Sequence, residues 1–133
     1  MESARVPGQP ILVVDDNLTN TRLMHAILEP EYSLQSAVDS DSMFALLEKS
    51  RPRLILMDIQ LPGIDGLEIT RRLKADPATR DIIVVALSAY AMVGDREKAL
   101  QAGCDEYVSK PIDRKKFLKV LERLLGKEAA DPA

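Results

Sequence analysis

The feature that most constrains this chain is a set of short stretches that are apolar at every position: Ile11–Val14, Leu54–Met57 and Ile82–Leu87. A strand with one wet face alternates apolar and polar residues, because successive side chains point to opposite faces. Strands without that alternation are buried on both faces, which is the condition of a parallel sheet covered by helices on two sides. Two weaker runs, Tyr32–Val38 and Glu106–Ser109, bring the predicted strands to five. Segments with helical spacing lie between and after them. Leu23, Met24, Ile27 and Leu28 stripe the first helix, Met43, Phe44, Leu46 and Leu47 the second, and Leu67, Ile69 and Leu73 the third. The fourth is expected over Ala91–Ala102 and is the least amphipathic, with Gly103 as its C′ residue. Phe117, Leu118, Val120, Leu121, Leu124 and Leu125 stripe the fifth, from an N-cap at Asp113 to a stop at Gly126. Strand–helix units joined by right-handed crossovers make an α/β, doubly wound, five-stranded parallel sheet with five helices.

Size and composition narrow the function. A chain of 133 residues is one domain's worth, and it can bury about two-thirds of its unfolded surface without a disulfide or structural metal. Aromatics are 4% with no Trp, so the core is aliphatic and a stacking platform for single-stranded nucleic acid is excluded. A net charge of −3 is the wrong sign for general nucleic-acid binding. The single cysteine, Cys104, excludes an internal disulfide and a zinc cluster. The longest apolar run, Ile82–Leu87, falls far short of the roughly 18–20 residues of a membrane span. The leader Met1–Gln9 has no apolar stretch of the secretory kind. The expectation is a cytoplasmic protein with no membrane insertion.

What terminates each strand is the informative pattern. Ile11–Val14 runs into Asp15 and Asp16, Leu54–Met57 into Asp58, Ile82–Leu87 into Ser88, and the last strand through Ser109 into Lys110. Open α/β sheets bind ligands outside the carboxyl ends of their strands, where strand order reverses. An order of 2-1-3-4-5 sets strands one and three side by side there, so that Asp15, Asp16 and Asp58 share a pocket rimmed by Ser88 and Lys110. At about 4 Å and an effective dielectric near 20, each ionised carboxylate pair costs about 4 kcal/mol. A raised pKa or a bound cation relieves that cost, and oxygen donors without His or Cys select a hard ion such as Mg²⁺. Cation, lysine and hydroxyl together are the inventory of phosphoryl transfer, with Asp as an accepted nucleophile for phosphorus.

With these residues in place, the chain resembles the response-regulator receiver domains, the CheY-like family of two-component signalling. The resemblance rests on Ile-Leu-Val-Val-Asp15-Asp16-Asn17, Leu-Ile-Leu-Met-Asp58-Ile-Gln-Leu-Pro62-Gly63-Ile-Asp65-Gly66, Val-Val-Ala-Leu-Ser88-Ala89, Gly94-Asp95, Ala-Gly103-Cys104-Asp105 and Tyr107-Val-Ser-Lys110-Pro111. It covers residues 9–126, in order and at family spacing, and its texture is that of single-domain regulators and of hybrid-kinase receivers. It implies that Asp58 accepts a phosphoryl group from a phosphohistidine of a sensor histidine kinase or phosphotransfer protein. It implies that Mg²⁺ (or Mn²⁺) is held by Asp16 directly, by Asp15 through water, by Asp58 and by the backbone carbonyl of Gln60. Lys110 and Ser88 would bind the phosphoryl oxygens, beside the small Ala89. Ser88 and Tyr107 would form the switch, and Gln60 and Tyr90 would tune dephosphorylation. Output would pass to a downstream protein partner through the face of the fourth helix, fifth strand and fifth helix, with no direct nucleic-acid contact. The Lys110–Pro111 bond is expected to be cis.

Other readings stand beside this one. Asp15 and Asp16 are also good helix N-caps. A chain of this class could be a receiver excised from a larger kinase or regulator, a scaffold receiver that is never phosphorylated, or a small phosphatase rather than a non-enzymatic switch. His25 reads as a partner- or solvent-facing residue, Cys104 as packing near a turn, and Asp39 and Asp65 as helix starts. From Lys110 onward seven of the 18 basic residues face four acids, which reads first as a solvated helix face.

Overall fold

The computed structural model describes residues 10–29, 31–59, 61, 65–89 and 93–129, the last four by backbone alone. Its elements alternate as β1 (Ile11–Val14), α1 (Leu18–Leu28), β2 (Leu34–Ala37), α2 (Ser40–Lys49), β3 (Leu54–Asp58), α3 (Gly66–Ala75), β4 (Ile83–Ser88), α4 (Asp95–Ala102), β5 (Glu106–Ser109) and α5 (Arg114–Ala129). The strands form one sheet in the order β2-β1-β3-β4-β5, every pair parallel. Register aligns Val14 with Met57 and Asp58 with Leu87, so the polar residues that follow the strands emerge in one row.

The apolar strands behave as their composition demands. β1 and β3 are buried at every position and β4 at all but its first. The sheet divides the interior in two. Leu12, Val14, Ile55, Met57, Val84 and Ala86 face α2, α3 and α4 through Met43, Ile69, Leu73, Ala99 and Ala102. Ile11, Val13, Leu54, Leu56, Val85 and Leu87 face α1 and α5 through Met24, Ile27, Leu28, Phe117, Leu121 and Leu125.

Helix starts follow local chemistry. Asn17 caps α1 by accepting from the Asn20 amide, which leaves Asp15 and Asp16 ahead of the helix and answers the capping alternative. Asp39 and Ser42 form a reciprocal capping box on α2, and the Ser42 amide and hydroxyl hold the Asp39 carboxyl below its ordinary pKa. Asp65 caps α3 through the Leu67 amide.

Five expectations need correction. Leu23 is 49% exposed, because the buried stripe of α1 runs through Thr21, Met24, Ile27 and Leu28 and Leu23 lies one step round the helix. α4 begins at Asp95 behind Gly94, whose φ of 89° cannot continue a helix; Ala91 lies outside the described residues. α5 runs through Gly126 to Ala129, since an interior glycine costs a helix only about 1 kcal/mol. β2 is shorter than the run from Tyr32, and β4 runs from Ile83 through Ser88.

α4 ends as expected at Gly103, with φ 110°. A Cβ there would lie 2.7 Å from Cγ of Lys74, whose ammonium is already committed to the Ile82 carbonyl and the Asp105 carboxylate. Gly103→Ala is expected to cost about 1–2 kcal/mol, for the left-handed backbone alone, read as a lower urea midpoint at unchanged m-value.

Candidate functional site

The row of strand ends assembles the site. Asp15 follows β1 and is buried; Asp16 beside it is exposed; Asp58 is the last residue of β3 and is buried. One carboxylate oxygen from each lies within 4.8 Å of the others. Asp15 is held from two sides: its amide donates to the Ala37 carbonyl at 3.0 Å, and its Oδ1 accepts from the Asn17 amide at 2.8 Å. Lys110, just past β5, reaches in, with Nζ 3.4 Å from Asp15 Oδ2 and 3.7 Å from Asp58 Oδ2. Its own amide donates to the Ser88 carbonyl at 2.7 Å, tying the β5 end to the β4 end. The Lys110–Pro111 bond is cis, as expected.

One ammonium does not balance three carboxylates. The donor set is all oxygen, two of the three carboxylates are buried, and the third opens to water. That combination suits a divalent cation with a mixed protein and water shell. Asp15, Asp16 and Asp58 are the side chains that could hold it.

Ser88 ends β4 fully buried, one residue past Leu87, the ladder neighbour of Asp58. Ala89 is exposed and lines a cavity of about 400 Å³ together with Asp15, Leu23, Met24, Lys110 and Ile112. That cavity accounts for the exposure of Leu23. Tyr107 lies apart, half-buried in β5 and packed against the cluster under α2, α3 and α4. Gln60 and Tyr90 lie outside the described residues.

One residue in the site's support was legible only as part of a pattern. Gly66 opens α3 directly beneath the strand end, where a Cβ would stand 2.6 Å from Ile59 Cα and 2.8 Å from the Asp58 carbonyl oxygen. Its amide donates to the Ile59 carbonyl, and the Ile59 amide donates to Leu87. No side chain fits between α3 and the acid-bearing turn, so only glycine lets the helix press against it.

Comparison with known proteins decides the family. The profile of the response regulator receiver domain matches residues 11–122. The chain belongs to the response regulator receiver domain family. It is 40% identical over 117 residues to the polar-differentiation response regulator DivK of Brucella anthropi, covering 87% of this chain and 95% of DivK. Among solved structures, the receiver domain of a sensor histidine kinase from Pseudomonas aeruginosa is 38% identical, with a TM-score of 0.79 over 90% of this chain and 98% of that one. That structure holds a magnesium ion coordinated in its active-site cleft. The receiver domain of a Syntrophus aciditrophicus histidine kinase is 28% identical with a TM-score of 0.83, covering 94% and 96%. Receiver domains are phosphoacceptor switches that interact with histidine kinases or phosphotransfer proteins, and this receiver domain is a two-component signalling protein. No helix among the described residues is long and apolar enough to cross a membrane.

The close approach at Gly66 makes a prediction for the receiver's acidic site. Gly66→Ala is expected to displace the Asp58–Ile59 backbone and to weaken by about tenfold or more the hold of the three carboxylates on a divalent cation, as loss of outer support does at metal sites. The check is the Mg²⁺ dependence of the melting temperature, compared with Gly103→Ala as a remote destabilised control.

Proposed function

We propose that this receiver domain, over residues 9–126, takes a phosphoryl group from a phosphohistidine of a sensor histidine kinase or phosphotransfer protein onto Asp58, in a Mg²⁺-dependent reaction. The observation that carries the reading is the placement of a buried Asp58 carboxylate within 4.8 Å of those of Asp15 and Asp16 and 3.7 Å from the Lys110 ammonium. An Asp58 oxygen supplies the electron pair of the new O–P bond. The N–P bond of the donor breaks, its pair returns to the imidazole, and that ring takes a proton from water.

Asp16 and Asp58 would hold Mg²⁺ (or Mn²⁺), with Asp15 acting through water and the Gln60 carbonyl completing the protein ligands. The bound cation supplies positive charge beside the phosphoryl oxygens. Lys110 supplies a second positive charge, swinging from the carboxylates it now bridges to the arriving group. Ser88 donates its hydroxyl to a phosphoryl oxygen, and Ala89 leaves room beside it. Such fixed charge is where phosphoryl transfer gains most of its rate.

The switch follows from the same contacts. Moving Ser88 toward the phosphoryl group vacates space near β4, and Tyr107 turns toward it. The face of α4, β5 and α5 changes shape and a downstream protein partner reads it, with no direct nucleic-acid contact. Gln60 and Tyr90 set how fast water removes the group. The chain is a self-assisting switch of the cytoplasm rather than an enzyme acting on external substrates.

Incubation with acetyl phosphate and Mg²⁺, followed by intact mass, tests this. The wild type is expected to gain one phosphoryl group, Asp58→Asn none, and a chelated sample none. Lys110→Ala is expected to label at least about tenfold more slowly, the scale of losing one charged transition-state contact. Labelling that survives Asp58→Asn, or none with any phosphodonor including a phosphohistidine protein, overturns the reading.

A further inference from the structure

Glu106 opens β5, the edge strand of the sheet. Strand alternation sets it on the side of Val108, which packs with the cluster under α1 and α5, while Tyr107 packs with the cluster under α2, α3 and α4. Its side chain is only 11% exposed, and both carboxylate oxygens are taken. Oε1 accepts from the Arg96 guanidinium of α4 at 2.6 Å, and Oε2 from that of Arg123 of α5 at 2.7 Å. Oε1 also accepts from the Tyr107 amide at 3.0 Å. α4 and α5 lie on opposite faces of the sheet, so these three side chains tie the two helical layers together around its open edge.

This differs from an ordinary surface ion pair, which contributes little because both partners stay in water. Here the acceptor is mostly withdrawn from water, so taking away either guanidinium leaves a poorly solvated charge. Burial alone would raise the Glu106 carboxyl, but the Tyr107 amide, Arg123 and Arg96 together outweigh it and hold the group below its ordinary pKa. The buried residues of α4 are the small Ala99 and Ala102.

We propose that Arg96, Glu106 and Arg123 form an ionic clasp that positions the α4–β5–α5 face with Tyr107 packed as it stands, and so opposes the rearrangement that accompanies phosphorylation. The proposal rests on Asp58 being the phosphoacceptor. The Tyr107 backbone cannot shift freely while its neighbour's carboxylate is gripped from both layers. Opening the clasp therefore raises the free energy of the resting form and narrows its gap to the rearranged one. If that form reacts faster with a small phosphodonor, its larger population raises the observed rate. Glu106 acts here as a positioning residue, remote from the reacting atoms.

The experiment follows acetyl phosphate labelling by intact mass, with hydrogen exchange on the same full-length proteins. Glu106→Gln keeps the side chain's shape and removes its charge. It is expected to label about five- to tenfold faster than wild type, within the ordinary range of coupling between sites, and to exchange faster in α4 and at the Tyr107 amide. Arg123→Gln, which changes a half-exposed side chain and threatens no core, is expected to do the same, and Arg123→Lys to stay within about twofold of wild type. A merely structural role would loosen exchange without speeding labelling. Labelling of both Gln variants within twofold of a wild type that does label overturns the proposal. If the wild type takes no label, the phosphoacceptor reading has failed and the clasp's opposition to phosphorylation falls with it; unchanged exchange in Glu106→Gln overturns the positioning of the face as well.

Discussion

A parallel sheet buried on both faces has nowhere to put a charge except beyond the ends of its strands. β1, β3 and β4 carry scarcely a polar atom between their first and last residues, and their backbone groups are spent on the ladders. Asp15, Asp58, Ser88 and Lys110 therefore emerge together at one end, because the parallel register aligns the ends. Three acids brought so close repel one another, and Lys110, reaching across from the end of β5, offsets part of that repulsion. The sheet supplies the coincidence of position, and electrostatics makes that position reactive.

Most of this arrangement was legible in the chain because its two signals are local. Unbroken apolar runs state that a strand is doubly buried, and the first polar residue after each run states where the strand meets water. Given a 2-1-3-4-5 order, which the sheet has, the convergence of Asp15, Asp16 and Asp58 follows from reading those two signals together, while Asp39, Asp65 and Gly103 are legible separately as helix caps and a stop. The motifs at those strand ends are also the ones that carry the resemblance to receiver domains.

What stayed hidden depends on contacts between segments distant in sequence. Gly66 reads as one more glycine after an Asp; its steric role appears only when α3 is seen pressed on the Asp58–Ile59 backbone. Glu106 reads only as the start of a weak strand and Arg123 as part of a solvated helix face, and Arg96 carries no signal, until the edge of the sheet brings all three within bonding distance. Leu23 misled for the opposite reason. Its apolar side chain fits the helical stripe by composition, yet it lines the open cavity beside Asp15. The glycine at 126 shows that a residue permissive of a helix end does not compel one.

The division of the interior into two apolar clusters has a consequence for how such a chain can vary. The clusters share strands but few side-chain neighbours, so changes in one layer add to changes in the other instead of compounding with them. Each helical layer is free to drift as a separate packing problem. The residues at the strand ends have no such freedom, because the three carboxylates must converge and Lys110 must reach two of them. A lineage of these domains can therefore replace most of its interior and much of its surface, one face at a time, around a row of polar residues that stays where it is.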